Sequence, residues 1–252
     1  MKKNALSLAM LAYPVLGSQD AFVTTDAAQQ LLQNTTDGGV RSILHYLSKS
    51  GIFSTEKIGQ ELRYYLTDKG IEQLNAQFPA LDSKWDSYSG EWECIVFQEA
   101  PSSDPQFRYL RSQLVAEHAI QLSRGVYCVP GSLSQELYLL CKKMYPHSIA
   151  LFSIDAWKFG FERSTVIRNF SLSDLATAYS SISTEVSQLL AQFAEGDGLT
   201  DQQKKVFITA YDRFRDTLQE DNGLVAYYYP NAISARKVLS QFQSAFSGFL
   251  VK

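Results

Sequence analysis

The chain has 252 residues, 45% of them hydrophobic and 19% charged, which is typical of a globular protein with enough apolar material for two or three domains. A net charge of −3 excludes a global attraction to nucleic acid, so a basic surface that binds DNA must be local. No stretch is long enough to span a bilayer, and the three cysteines lack metal-ligand spacing. We therefore expect a cytoplasmic protein with reduced thiols and no membrane partner.

The first residues allow two interpretations. Lys2-Lys3 followed by the apolar residues 5–16 imitates a secretory signal peptide, although Pro14 interrupts the run. In the other interpretation, which we favour, these residues form a first helix that stays with the protein and supports the elements that follow. Four leucines would then form its buried face: Leu6, Leu8, Leu11 and Leu16.

Residues 25–50 predict two short helices separated by a tight turn. Thr25 is expected to cap the first helix, and Asn34-Thr35-Thr36 ends that helix and caps the second. Gly51 is expected to end the second helix, which spans about residues 37–50. Its apolar residues fall at helical spacing: Val40, Ile43, Leu44 and Leu47.

A β-hairpin follows the second helix. Residues 52–55 predict the outgoing strand, residues 56–61 the tip around Gly59, and residues 62–67 the returning strand. Two helices, a turn and a hairpin form the layout of a winged helix-turn-helix, which places its second helix in the DNA major groove. We assign this DNA-binding domain to residues 1–79.

The middle of the chain predicts a ferredoxin-like domain over residues 80–155. Its elements alternate in the order β-α-β-β-α-β, which places two helices on one face of an antiparallel sheet. Val115 is expected on the buried side of the first of these helices, together with Phe107 and Leu110. The predicted elements lie at residues 92–97, 104–118, 119–122, 126–129, 133–144 and 149–154.

Residues 156–252 predict a helical C-terminal domain. Apolar residues recur at intervals of three and four from 172 to 193, and Thr200 with Gln203 forms a capping-box-like start of a helix through residue 218. A last helix follows Pro230. The predicted fold class is therefore α+β, with an N-terminal winged helix-turn-helix, a central ferredoxin-like domain and a C-terminal helical domain.

This order resembles the PaaX-like transcriptional regulators of phenylacetate degradation, and the similarity extends over nearly the whole chain. The resemblance implies a homodimeric repressor that binds an inverted-repeat operator and releases DNA on binding an aryl-acyl-CoA. It also implies that the middle domain is related to a CRISPR-adaptation nuclease fold. The similar residues are 39–47, 50–52 and 63–70, then 85–86, 90–92, 110–114 and 125–130, and finally Tyr229-Pro230 and Ser234-Ala235-Arg236.

The outward face of the second helix holds the candidate DNA-reading residues. Arg41 has the geometry to pair with guanine in the major groove, and Thr35 and Thr36 offer hydroxyls and backbone amides to a phosphate. Lysine and arginine in the wing are expected to contact backbone phosphates. The DNA-binding candidates are Thr35, Thr36, Arg41, Ser42, His45, Lys49, Lys57 and Arg63.

Two other functions remain open. A metal-dependent nuclease built on the middle domain would need acidic ligands at the end of the first strand, where the chain offers only Gln98 and Glu99. The three histidines are far apart, and we expect no catalytic residue, bound metal or cofactor. An adaptor that no longer binds DNA is the other alternative, because Gln60, Glu61 and Leu62 replace the arginines of the family wing.

A small-molecule effector site is the last candidate. Clefts between domains often bind ligands, and arginines with aromatic rings suit a nucleotide-like group. We therefore place the candidate site between the middle and C-terminal domains. Its residues are Arg108, Arg111 and Arg124 for anionic groups, and Trp157, Tyr227 and Tyr228 for stacking on a flat ring.

Overall fold

The computed structural model describes residues 1–15, 21–98, 104–117, 119–144, 147–156, 162–194 and 200–247. These residues form an α+β structure with two antiparallel sheets and a helical C-terminal region, which confirms the predicted fold class at this level. The chain divides into two compact units: unit 1 comprises residues 1–83 and 172–252, and unit 2 comprises residues 84–171. The N-terminal and C-terminal segments therefore share one unit.

The N-terminal part of unit 1 alternates helices with a small sheet. Strand order in the sheet is β1-β3-β2, and both pairings are antiparallel. Two short 3-10 helices follow at Pro79–Leu81 and Ser83–Ser87. The elements are α1 (Lys3–Leu11), β1 (Phe22–Thr24), α2 (Thr25–Leu31), α3 (Asp37–Lys49), β2 (Phe53–Ile58), β3 (Glu61–Leu66) and α4 (Asp68–Gln77).

Threonine hydroxyls cap α2, α3 and α4, the last of them through Thr67. Thr36 accepts a hydrogen bond from the Gly39 amide at 3.2 Å and starts α3 as predicted. The expected cap of α2 was wrong by one residue, because Thr24 and not Thr25 accepts from the Ala27 amide. The predicted end of α3 is confirmed, since its last helical residue, Lys49, is followed closely by Gly51 in the left-handed conformation, with φ +74°.

The hairpin is longer and its tip shorter than the sequence suggested. β2 continues to Ile58, which pairs with Glu61, so the tip is the two-residue loop Gly59-Gln60 and not residues 56–61. Gly59 has φ +63°, the left-handed conformation that hairpin loops of this length require. Apart from Phe53, every β2 side chain is exposed, so the hairpin projects into solvent.

Helix α1 lies in the core of unit 1. Each of its residues from Ala5 to Leu11 is buried, and the helix packs against α3, α4, β1 and a C-terminal helix, α11 (Ala235–Ser247). Tyr211 donates a hydrogen bond from its hydroxyl to the Ser7 carbonyl oxygen at 2.9 Å. Gln243 donates from its side-chain amide to the carbonyl oxygens of Leu11 and Tyr13. A first helix with Leu6, Leu8 and Leu11 buried is therefore present as predicted, whereas Leu16 lies outside the described residues. The backbone of α1 bonds to residues far along the chain.

The C-terminal part of unit 1 is helical, as predicted. It contains α8 (Leu172–Ala194), α9 (Asp201–Glu220), α10 (Val225–Tyr228) and α11 (Ala235–Ser247). The predicted capping box at the start of α9 is confirmed, because Thr200 accepts from the Gln203 amide and the Gln203 side chain accepts from the Thr200 amide. Aromatic rings fill the space between α9 and α11: Phe207, Tyr211, Phe214, Phe242 and Phe246.

Unit 2 contains a four-stranded antiparallel sheet in the order β5-β6-β4-β7. Helices α5 and α6 supply Phe107, Leu110 and Leu137 to a core that also includes Ile95 and Tyr127 of the sheet. The elements are β4 (Trp92–Phe97), α5 (Pro105–Ala116), β5 (Ile120–Ser123), β6 (Val126–Pro130), α6 (Gln135–Met144), β7 (Ile149–Ile154) and α7 (Glu162–Asn169).

One predicted core residue of unit 2 was wrong. Val115 is 57% exposed, because the buried side of α5 is the narrow stripe of Phe107, Leu110 and Leu114.

Among the helices of the described residues, none has both the length and the apolar character needed to cross a bilayer.

Candidate nucleic-acid interface

Helix α3 presents a polar face because its apolar residues fix its orientation. Val40, Leu44 and Leu47 are buried against unit 1, so the opposite side of the helix faces solvent. Ile43, predicted to point inward, is only partly buried. The exposed side contains Arg41, Ser42, His45 and Lys49, and also Tyr46, which is 56% exposed.

The two threonines at the start of α3 have defined partners. Thr36 uses its hydroxyl oxygen as the helix cap and keeps its hydroxyl hydrogen for an external acceptor. Thr35 is half-buried and accepts a hydrogen bond from the Asn4 side-chain amide at 3.1 Å. Asp37 places a carboxylate in the first turn of α3, and its negative charge repels a phosphate at that position.

The side chains of the exposed face differ in how they are held. Arg41 donates from Nε to the Asp37 carbonyl oxygen at 3.4 Å, which leaves its terminal nitrogens for an external partner. Ser42 donates to the Gly38 carbonyl oxygen at 2.8 Å. Neither His45 nor Lys49 forms a side-chain hydrogen bond or ion pair with other described residues. Arg41, His45 and Lys49 therefore present three donors along one face of one helix.

The wing supplies one cation that faces solvent and one that is already paired. Lys57 is exposed on β2, opposite Leu62. Arg63 forms an ion pair with Glu61 at 2.6 Å, and its guanidinium lies 4.3 Å from the centre of the Phe22 ring. The hydrogen bond that Arg63 donates to the Glu61 carboxylate raises the pKa of Arg63. Lys57 is therefore better placed than Arg63 to meet a phosphate.

The sequence interpretation missed the first turn of α1. Lys2 and Lys3 line, together with Ser42 and Tyr46, a groove of about 480 Å³ beside the exposed face of α3. The Lys2-Lys3 pair was visible in the sequence, but a charged start to an apolar run equally suggested a signal peptide. It is the burial of α1 that brings these two lysines next to α3.

The structure divides the candidate effector residues between the two units. Arg108, Arg111 and Arg124 are exposed in unit 2, where Arg111 donates to the Gln121 side chain at 3.2 Å. Tyr227 and Tyr228 lie in unit 1 with their ring centres 5.0 Å apart. Tyr228 is 1% exposed, so Tyr227 alone of the two presents its ring to solvent. Trp157 lies outside the described residues.

Of the two residues considered for a metal nuclease, the structure describes only Gln98. Gln98 is exposed at the end of β4, while Glu99 and His118 lie outside the described residues. In the part of the chain that the structure describes, no three histidine, cysteine, aspartate or glutamate side chains gather into a possible metal site.

Comparison with known proteins gives little. No family model and no curated protein matches the chain. Among solved structures, the chain is similar to "Uncharacterized protein Rv0674 from Mycobacterium tuberculosis", with 16% identity and a TM-score of 0.49. The similarity covers 97% of this chain and 92% of that chain. At this score and identity the likeness carries no argument about function.

Proposed function

We propose that this chain is a sequence-specific DNA-binding transcriptional regulator, a cytoplasmic repressor of the PaaX-like kind that acts as a homodimer. In this proposal residues 1–79 form the winged helix-turn-helix, and α3 is the recognition helix. Residues 80–155 form a ferredoxin-like domain, and residues 156–252 a helical domain that completes the protein. A small effector controls release from the operator.

The observation that carries this proposal is the order of elements at the N-terminus. The chain runs α1-β1-α2-α3-β2-β3-α4 with strand order β1-β3-β2. A winged-helix domain has this order of elements. It exposes the second helix of its helix-turn-helix beside a hairpin that projects into solvent. The exposed side chains of α3 and the solvent-exposed hairpin supply the donors that such an interface needs.

The proposed ferredoxin-like arrangement is supported by the topology of unit 2. The order β4-α5-β5-β6-α6-β7 follows the β-α-β-β-α-β pattern, and β4 lies centrally between β6 and β7. In a homodimeric regulator this domain supplies structure and not catalysis. A dimer would recognise two half-sites about 34–36 Å apart, or a multiple of that distance, in an inverted repeat.

The test is selection of bound duplexes from a random pool at two salt concentrations, with Arg41→Ala and Arg213→Ala in parallel. Arg41 is exposed on α3, and Arg213 is an exposed arginine of α9 in the same unit. We expect an enriched inverted repeat for the wild type and for Arg213→Ala. Loss of a bidentate guanine contact corresponds to about 1–3 kcal/mol, so Arg41→Ala should weaken binding roughly 5- to 150-fold.

Other outcomes distinguish the alternatives. If no sequence is enriched at low salt, the result contradicts the proposal and favours the adaptor. The same holds if Arg41→Ala selects and binds the same sequences as the wild type with equal affinity. Cleavage of plain duplex DNA in the presence of magnesium or manganese would favour the nuclease instead. We expect no cleavage.

A further inference from the structure

Unit 1 contains a second groove, which reaches Thr35, just before the start of α3. Three elements form the groove: the first turns of α1, the turn after α2 and the middle of α9. Its volume is about 530 Å³, which lies within the usual range of small-molecule sites. We infer that this groove binds a small organic carboxylate with an apolar body, and that it is distinct from the effector residues considered above.

The floor of the groove suits an apolar body. Leu31 and Leu32 at the end of α2 are buried, and Ile208 and the buried ring of Tyr211 contribute from α9. The Tyr211 hydroxyl already donates its hydrogen to the Ser7 carbonyl oxygen, so it has no hydrogen left to donate to a ligand. Ile208 is half-buried, so a ligand that covers it removes apolar surface from water, which favours binding.

The rim of the groove suits an anionic group. Lys205 is exposed on α9, and its ammonium group forms no hydrogen bond or ion pair with other described residues. Asn4 has a second amide hydrogen to donate at the same rim, whereas the Thr209 hydroxyl already donates to the Lys205 carbonyl oxygen. A carboxylate at this rim therefore meets the Lys205 ammonium group and the neutral amide of Asn4.

Among the described residues that line the groove, the one acidic side chain is compensated by cations. Asp212 forms an ion pair with Lys3 at 3.1 Å and a second with Arg215, whose guanidinium is buried. No acidic side chain among the described lining residues pairs with Lys205, so the net charge that faces the groove is positive. This net charge disfavours cationic ligands.

The groove shares a hydrogen bond with the start of α3. Asn4 lines the groove and donates to Thr35, and Thr35 directly precedes Thr36, the cap of α3. A ligand that contacts Asn4 and the turn after α2 changes the free energy of the capped arrangement. If α3 reads DNA, which is the proposed function, ligand affinity and DNA affinity are then reciprocally coupled.

The test uses 2-naphthoate as probe and the neutral 2-naphthylmethanol as its control, without DNA. Backbone amide shifts in the full chain report where each compound binds. We expect 2-naphthoate to shift the amides of residues 32–35 and 208–212, and the alcohol to bind at least five-fold more weakly. Lys205→Glu should weaken 2-naphthoate at least ten-fold, whereas the matched exposed substitution Lys237→Glu on α11 should change it less than two-fold.

The outcomes separate this inference from the proposed function. Absence of shifts at the groove, or equal binding by the Lys205→Glu and Lys237→Glu variants, overturns the site. A chain that binds 2-naphthoate as expected but retains no DNA supports the site and contradicts only the proposed regulator. Operator affinity measured with and without 2-naphthoate then tests the coupling, which an unchanged affinity overturns.

Discussion

Arg215 carries a positive charge into the interior of unit 1. Its side chain is 2% exposed, and it donates to Ser7 Oγ at 3.2 Å and to Asp216 at 2.7 Å, and also to Asp212. Arg215→Met keeps an unbranched apolar stem but removes the guanidinium group and its charge-assisted bonds. We expect the free energy of unfolding to fall by about 2–4 kcal/mol, measured by urea denaturation.

A surface ion pair between α9 and α8 is the matched control. Arg213 bonds Glu185 at 2.8 Å, and both side chains are partly exposed. Arg213→Met should cost less than about 1 kcal/mol, because exposed ion pairs contribute little. Equal losses for the two variants would show that burial of Arg215 adds no stability.

Asp221 gives unit 1 a stability that depends on pH. Burial raises the pKa of this carboxyl above its ordinary value of 3.8, although hydrogen bonds from the Gly223 amide and Tyr179 lower it in part. The folded protein therefore binds this proton more tightly than the unfolded chain. As a result, the group's contribution to the free energy of unfolding falls as the pH rises from 3.8 through the raised pKa.

Asp221→Asn removes this titration and keeps the side-chain shape. Urea unfolding of both proteins from pH 4 to pH 8 should show wild-type stability declining relative to the variant across that window. A difference that stays constant with pH would mean that the carboxyl titrates alike in the folded and unfolded chains.

The cysteines should be unreactive in the folded protein. Burial raises the pKa of Cys128 to about 12 and that of Cys141 to about 11, and it also raises the pKa of Cys94. Since the thiolate is the reactive form, we expect alkylation by iodoacetamide at pH 8 to be at least 100-fold slower than in urea. Mass spectrometry of each labelled peptide measures the rates, and rapid labelling of any of the three would contradict its burial.

At the scale of elements, α4 and the hairpin meet at a glycine. A Cβ at Gly70 would lie 2.5 Å from the Ile52 carbonyl oxygen and closer still to the Leu66 side chain. Gly70→Ala should therefore destabilise the protein by about 1–3 kcal/mol, because backbone must move to make room. Thermal unfolding measures the loss.

Gly38 in the first turn of α3 supplies the opposite case. A Cβ there meets nothing within 4 Å, so Gly38→Ala should stabilise the protein by about 0.5–1 kcal/mol through helix propensity alone. If both alanines destabilised the protein equally, the close approach at Gly70 would not be the cause.

Local chemistry made some elements predictable. The Thr36 cap, the left-handed Gly51 and the capping box at Thr200 each depend on residues within a few positions, and all three are present. By contrast, β1 was missed because three residues form too short a run, and α7 because its sequence is mostly polar. The exposure of Val115 depends on how wide a stripe α5 buries, which periodicity alone does not give.

The site was less predictable than the helices that form it. The polar face of α3 follows from the spacing of Val40, Leu44 and Leu47, so its exposed residues were found from the sequence. The ion pair that occupies Arg63 is local, because Glu61 and Arg63 share one face of β3, but the placement of Lys2 beside α3 depends on tertiary contacts. Sequence spacing carries no information about contacts of this kind.

At the scale of the whole molecule, unit 1 needs both ends of the chain. Residues of α9 and α11 bond to the backbone of α1 and its C-terminal extension, and α1 is buried. We expect a fragment of residues 1–83 to lack a cooperative thermal transition that the full chain shows, as monitored by circular dichroism. A fragment that melts within a few degrees of the full chain would contradict this dependence.

The bond from Tyr211 to Ser7 joins residues 204 positions apart, which has a consequence during translation. A nascent chain emerges from the ribosome with α1 long before its partners on α9 and α11. In the interval α3, α4 and β1 can cover part of α1, and the side that contacts α9 and α11 stays exposed to chaperones. A chain that ends at a premature stop codon before α9 would contain α3 and the wing without the helices that complete the core of unit 1. Such a chain would be a substrate for degradation.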